Sequence, residues 1–223
     1  MKKSEYLYKP VLFGLVALIS GSCSEDFLNE EPLGQPSSAT LFEDEAGAVK
    51  ATNGIYAYLR NWNVVGFPYF GIEVLPSDDA DVGSAPGDGS FPRLQLINTF
   101  TYDPTTGELN GYWVGAYQGI NYANQVIYNV PPIEMDEELK ARLIGEARFL
   151  RAFFYFNLVR SFGEVPLIDK VYTDPEEARI AEPKSPEEEI YDFIIQDLEA
   201  AVAALPLKSE YPAEDLGRAT KGA

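Results

Sequence analysis

The 223-residue sequence predicts a mostly α-helical protein whose helices are interrupted by one long irregular connection. Three observations predict this. Apolar residues recur at three- and four-residue spacing over most of the chain beyond Phe42, the period of a half-buried helix. The periodic stretches begin near capping residues and stop at Gly or Pro. Between Asn63 and Glu108, by contrast, Gly66, Pro68, Gly71, Pro76, Gly83, Pro86, Gly87, Gly89 and Pro92 punctuate short apolar pieces, the pattern of a turn-rich segment.

The N-terminus reads as an export segment. Lys2, Lys3 and Lys9, diluted by Glu5, precede an apolar core from Val11 to Ile19, and the small residues Gly21 and Ser22 follow, the layout of a cleavable signal peptide. The core is shorter than the roughly 20 apolar residues that a membrane span takes. The sole cysteine, Cys23, comes next. A free thiol is a liability in an exported protein, and acylation of Cys23 as the new N-terminus would remove it. The alternative is a stray cysteine beside a peptidase site, and Ser20 stands where bacterial lipoboxes usually carry leucine. Ser24, Glu25 and Asp26 resemble the acidic tag that follows the lipid cysteine of surface-exposed lipoproteins in the Bacteroidetes; the plain alternative is a solvated linker. On this reading residues 1–22 are a lipoprotein signal peptide, 23–39 a Pro/Ser/Glu-rich tether and 40–223 an incomplete helical domain. The acyl chains, each buried CH₂ contributing ~0.8 kcal/mol, would hold the protein to the outer membrane, facing the exterior.

The elements follow in order. Thr40 and Glu43 fit a capping box for a helix carrying Phe42, Ala46, Val49, Tyr56 and Leu59, expected to end near Trp62. Within the irregular segment, Leu94, Leu96 and Thr99 to Tyr102 have extended-chain propensity and suggest a short strand. Trp113, Tyr117, Ile120, Asn124 and Ile127 mark one face of a helix beginning at Asn110 and stopped by Pro131-Pro132. Asp136 caps the next helix, with Glu137 and Glu138 in its first turn, where the dipole favours acids. That helix runs to Phe162 and stops at Gly163, and its apolar character nearly all round from Leu143 predicts burial. Ser185, Pro186 and Glu188 fit the start of a further helix with Ile190, Ile194, Leu198, Ala201 and Leu205 as its buried stripe. The terminal GRATKGA reads as the first turn of another helix, cut short.

Composition narrows the function. Removing residues 1–22 takes three lysines and one glutamate from 17 basic and 35 acidic residues, leaving 14 and 34 and a net charge of −20. Nucleic acid, which demands a basic face, is disfavoured. The chain has no histidine, so Ser-His-Asp and Cys-His catalysis and histidine-containing zinc sites are out of reach. No cofactor is implied.

The lipid cysteine followed by SEDFLN, the helix YWVGAYQGINYANQVI, GEARFLRAFFYFNLVRSFGEVPLI, SPEEEIYDFIIQDLEAAVAALP and the terminal GRATKGA occur in an ordered series. Together they resemble the N-terminal part of SusD/RagB-type outer-membrane lipoproteins. The resemblance implies tetratricopeptide-like helix pairs with ligand-binding loops, 110–130 pairing with 137–162 and 186–205 with the terminal turn. It also implies capture of nutrient glycans, in some members peptides, for a SusC-like TonB-dependent transporter, without catalysis. A helical scaffold for another protein is the competing reading.

The candidate site residues lie in the irregular segment. Trp62, Tyr69 and Phe70 could offer faces for sugar stacking. Trp62, at a helix end, is expected to be mostly packed, Tyr69 is open to either role, and Phe100 is expected to be buried. Asp78, Asp79 and Asp81 could accept sugar hydroxyls or bind calcium, but Ser90 falls where an EF-hand needs its glutamate, and a solvated acidic turn is the simpler reading. A glycosidase pair would need a carboxylate separation that adjacent aspartates do not establish. Trp113 and Tyr117 are read as core. Arg148 and Arg151 are read as buried cations paired with carboxylates such as Glu146 or others across the stack.

Overall fold

The computed structural model describes residues 38–89, 91–174, 176–177 and 182–223. Cys23, Ser24, Glu25 and Asp26, with the whole of the signal segment, lie outside the described residues.

Three long helices make the body: α5 (Gly107–Asn129), α6 (Glu137–Phe162) and α7 (Glu187–Ala204). α5 and α6 form the expected antiparallel pair. Tyr112 stacks on Phe162 at 6.0 Å, and further along α5 Gly119 faces the Phe154 ring, so contacts advance along one helix as they retreat along the other. A Cβ on Gly119 would lie 2.3 Å from that ring. Only glycine lets the helices approach this closely. α7 lies antiparallel to α6 on the same rule, Arg151 meeting Asp197 and Gly145 meeting Ala204 and Leu205. α1 (Glu45–Tyr58) covers α5 and α6, its Tyr58 edge-on to Tyr122 at 5.0 Å.

α6 starts and stops where its sequence says. Asp136 Oδ1 accepts from the Leu139 N–H at 2.8 Å, and Gly163 turns the chain out at φ 68. Leu143, Leu150, Phe154, Tyr155 and Leu158 are fully buried, but Phe153 and Phe156 of the same run are 39% and 43% exposed, so the helix is not buried all round as its apolar run predicted. The chain beyond is pinned to the pair. Tyr117 donates to the Pro166 carbonyl at 2.7 Å, Asn124 Nδ2 donates to the carbonyls of Ile168 and Lys170, and the Tyr155 hydroxyl accepts from Ile168 N–H at 2.7 Å. A two-residue antiparallel ladder pairs β1 (Val165–Pro166) with β2 (Lys184–Ser185).

Several expectations are corrected. Thr40 and Glu43 do not open the first long helix. A single turn, Ser38–Leu41, precedes it, and Asp44 caps it by accepting from Gly47 N–H at 2.8 Å. α1 ends at Tyr58, before Trp62, which begins a separate short helix. The strand expected over Leu94 to Tyr102 is instead helix α4 (Phe91–Asn98), because Leu94 and Ile97, three apart, fall on one helical face and Ile97 is buried. Ser185 belongs to β2, and Pro186 stands at the α7 cap without a side-chain hydrogen bond. On α7 the buried line runs through Ile190, Ile194, Asp197 and Ala201, while Leu198 is 36% exposed. Residues 217–223 form turns, not a helix. They pack back on the body: Arg218 bonds Asp215, Glu146 and Asn53, and Ala219 N–H donates to the Tyr56 hydroxyl.

The buried charges resolve into two sets. Arg151 Nε and Nη2 donate to the two oxygens of Asp197 at 2.7 and 2.8 Å, and Nη1 donates to Asn124 Oδ1 at 2.7 Å. Arg148 reaches the same carboxylate at 3.4 Å. Glu146, the expected partner, lies instead with Arg218 at 2.8 Å and Arg142 at 3.7 Å. Among the described residues no helix is long and apolar enough to cross a membrane.

Candidate functional site

The segment between α1 and α5 builds the site. Asn61 caps the one-turn helix α2 (Trp62–Val65), its side chain accepting from Asn63 N–H at 2.9 Å. Val64 is buried and anchors the turn. Asn63 lies against α5 where Gly111 and Gly115 leave room, since a Cβ on Gly115 would stand 2.8 Å from the Asn63 Cβ. Gly66 links α2 to α3 (Phe67–Val74). A side chain there would meet the Trp62 carbonyl at 2.4 Å and its indole at 2.7 Å, so this glycine lets the ring lie back over its own turn. Pro68 stands in the first turn of α3 and is buried with Gly71, in keeping with proline's preference for helix starts.

With the turn fixed this way, the Trp62 ring is left 66% exposed. The expectation that it would be mostly packed is corrected: the buried residue of this turn is Val64, two positions on. Trp62 borders a cleft of about 410 Å³ shared with Asn63, Phe67, Pro68, Arg93, Leu94, Gly107 and Glu108, a volume within the range of about 300–1,000 Å³ usual for small-ligand pockets. Glu108, in the first turn of α5, is buried to 7% side-chain exposure, and its Oε1 lies 2.7 Å from Arg93 Nε. Its Oε2 has no hydrogen-bond partner.

The other predicted residues are placed differently. Tyr69 is half-buried with its ring 5.5 Å from that of Tyr112. It ends a column of rings that continues through Phe162, Trp113 and Tyr117. Trp113 and Tyr117 pack against the core as predicted. Phe70 is 56% exposed and borders neither described cleft. Phe100, expected buried, is 64% exposed at φ 57. It ends α4 in a Schellman turn, with Thr101 N–H on the Leu96 carbonyl and Phe100 N–H on that of Ile97, a position usually taken by glycine. Asp78, Asp79 and Asp81 are exposed in the turn after α3 and line neither cleft. Asp81 Oδ1 accepts from Asn98 Nδ2 at 2.8 Å. Among the described residues no three His, Cys, Asp or Glu side chains group as a metal site.

A second cleft of about 710 Å³ lies along the other side of the α5 N-terminus, walled by Ile72, Ile97, Leu109, Trp113 and Phe162 with the Glu73–Arg160 pair at 3.1 Å. Arg93 and Glu108 were missed from the sequence. A signal was present for the first: Arg93 is the only basic residue between Arg60 and Lys140.

Residues 83–223 match a family profile described as "Starch-binding associating with outer membrane", SusD-like. A SusD-like protein P2 from Formosa agariphila is 35% identical over 206 residues, 92% of this chain and 39% of that protein. A SusD-like protein from Bacteroides ovatus is 30% identical over 221 residues, 96% of this chain and 37% of its own length. Among solved structures, a laminarin-binding SusD-like protein superposes with a TM-score of 0.69 at 30% identity, covering 81% of this chain and 38% of that one. The chain therefore spans about two fifths of the length of these relatives. With the profile matched over more than half its residues and the helical scaffold shared, the chain belongs to the SusD-like family.

Proposed function

We propose that this protein is a lipid-anchored surface protein that binds a nutrient glycan in the Trp62 cleft and delivers it to a SusC-like TonB-dependent transporter. The observation that carries the reading is the exposed Trp62 ring beside a polar Arg93–Glu108 pair. An aromatic face stacks on the C–H face of a sugar, and the polar pair fixes its hydroxyls. The laminarin-binding relative supports a carbohydrate ligand. Binding without catalysis is the reading we favour: among the described residues the cleft's carboxylate is Glu108, already paired with an arginine, where glycoside hydrolysis uses two across the bond.

Affinity electrophoresis against laminarin, pullulan and xylan tests the binding. Trp62→Ala is expected to weaken binding to the recognised polymer about tenfold with the helical circular dichroism unchanged; unaltered affinity would move the site off this cleft. Binding of peptides in place of every glycan would assign the protein to peptide capture. The anchor is tested by labelling with a palmitate analogue, which should mark the wild type and not Cys23→Ala. Changing Glu25 and Asp26 to alanine should keep the label but shield the protein from protease added to whole cells.

A further inference from the structure

The Arg93–Glu108 pair extends that reading to the class of sugar. Glu108 is buried beside the cleft with one oxygen held by Arg93 and the other, Oε2, without a donor. A buried carboxylate oxygen is stabilised by an arriving N–H or O–H and destabilised by an arriving anion. Arg93, with a side chain 57% exposed, uses only Nε on Glu108. Its remaining guanidinium nitrogens make no hydrogen bond among the described residues, so they keep donors to offer. The two charges cancel within the pair, and the chain around them carries −18 overall, a field that repels anions.

A ligand that fits must donate to Oε2 and accept from the guanidinium within a few ångströms, and must bring no negative charge. Neighbouring hydroxyls of an uncharged sugar do both; the carboxylate group of a uronate or a sulfate group offers acceptors only and sets its own charge against that of Glu108. We infer that the Trp62 cleft selects an uncharged sugar residue, one hydroxyl donating to Glu108 Oε2 as the carboxylate turns from its buried position toward the cleft and its neighbour accepting from Arg93, and rejects uronic-acid and sulfated residues. The inference rests on the Trp62 cleft being the glycan site.

The test is calorimetry of the full chain with laminarin, pullulan and xylan, the sulfated derivative of each, and polygalacturonate. Wild-type protein should bind at least one neutral polymer, at least tenfold tighter than its sulfated derivative, and polygalacturonate no better than the sulfated forms. Glu108→Gln, which keeps the shape but turns a donor toward the ligand, should weaken neutral binding on the order of tenfold and narrow the gap to the sulfated polymer. A thermal melt checks that this variant folds, and the wild-type preference stands without it. Equal or tighter binding of charged polymers by the wild type, or a folded Glu108→Gln variant with unchanged neutral affinity, overturns the inference. Trp62→Ala separates the two failures. If it abolishes binding while charge makes no difference, only the sugar class is wrong. If it changes nothing, or if no polymer binds, the cleft is not the glycan site and the inference falls with it.

Discussion

Replacing Asp197 with alanine strands Arg151. The guanidinium sits between α5, α6 and α7 with 5% side-chain exposure, makes two hydrogen bonds to Asp197 and one to Asn124, and lies over the Phe193 ring at 4.6 Å. Once the carboxylate is gone, one neutral amide oxygen remains for a charge that cannot reach water. Arg148 also loses its partner, but at 35% side-chain exposure it turns to solvent at little cost. Breaking a buried pair from one side costs about 3–5 kcal/mol, a large share of the roughly 5–15 kcal/mol that holds a domain together. With a urea slope of about 2 kcal/mol/M, the unfolding midpoint should fall by about 2 M. The double substitution Arg151→Met with Asp197→Leu should recover part of that loss, since an apolar pair of similar volume carries no stranded charge, while Asn124 Oδ1 loses its donor at about 1–3 kcal/mol. Urea titrations of the wild type, the single and the double variants measure all three. A loss below about 1 kcal/mol for Asp197→Ala would refute the argument that this pair is desolvated.

Gly119→Ala drives a methyl into the Phe154 ring and should cost about 1–3 kcal/mol. Gly54→Ala, exposed within α1 with nothing within 4 Å, should add roughly 0.5–1 kcal/mol; urea midpoints moving the same way would contradict one of the two. Phe100→Gly relieves a left-handed backbone and, because the ring is largely exposed, should stabilise by about 1 kcal/mol, read from a thermal melt. Burial pushes the phenols of Tyr56, Tyr117 and Tyr155 above their ordinary value of 10.0. The native state therefore keeps protons that the unfolded chain releases, so this contribution is fully present below that pH and is lost as pH rises above it. Urea midpoints flat from about pH 9 to about pH 11 would contradict it.

How much of this was legible depends on how local the cause is. The bounds of α6 could be read because their causes lie within a few residues: the Asp136 side chain on Leu139 and the positive φ at Gly163. Ser185 misled because a non-local partner, Val165, draws it into a ladder, and such pairing leaves no mark near Ser185 itself. On α7 the apolar spacing pointed to Leu198, but the buried position is Asp197, because Arg151 opposite needs its carboxylate. A paired charge can occupy a core position, and hydrophobic periodicity cannot see the pair. The site suffered most. Trp62 was among the candidates, yet its exposure is set by Val64 and Gly66. Arg93 and Glu108 meet it only once α4 has folded against the α5 N-terminus.

The three cleft residues are held with unequal firmness, and this bears on how the cleft works. Glu108 rides on α5, whose following turns lock into α6 through Tyr112, Gly119 and Ile120. Trp62 stands on a single turn, but Asn63 seats that turn against Gly111 and Gly115 of the same helix. Both are therefore referenced to one rigid element, so the spacing of the Trp62 turn from the Glu108 backbone is set before a ligand arrives. Arg93 comes from α4, whose one buried hydrophobic anchor among the described residues is Ile97, and its own side chain is mostly exposed. A seated turn and a helix-borne acceptor lower the entropic cost of orientation on binding. On the proposed reading, a movable donor would let the same cleft accept sugars that differ in the hydroxyl facing it. The tolerance of the site should accordingly lie on the arginine side and its strictness at Glu108, where a misplaced anion has no room to be relieved.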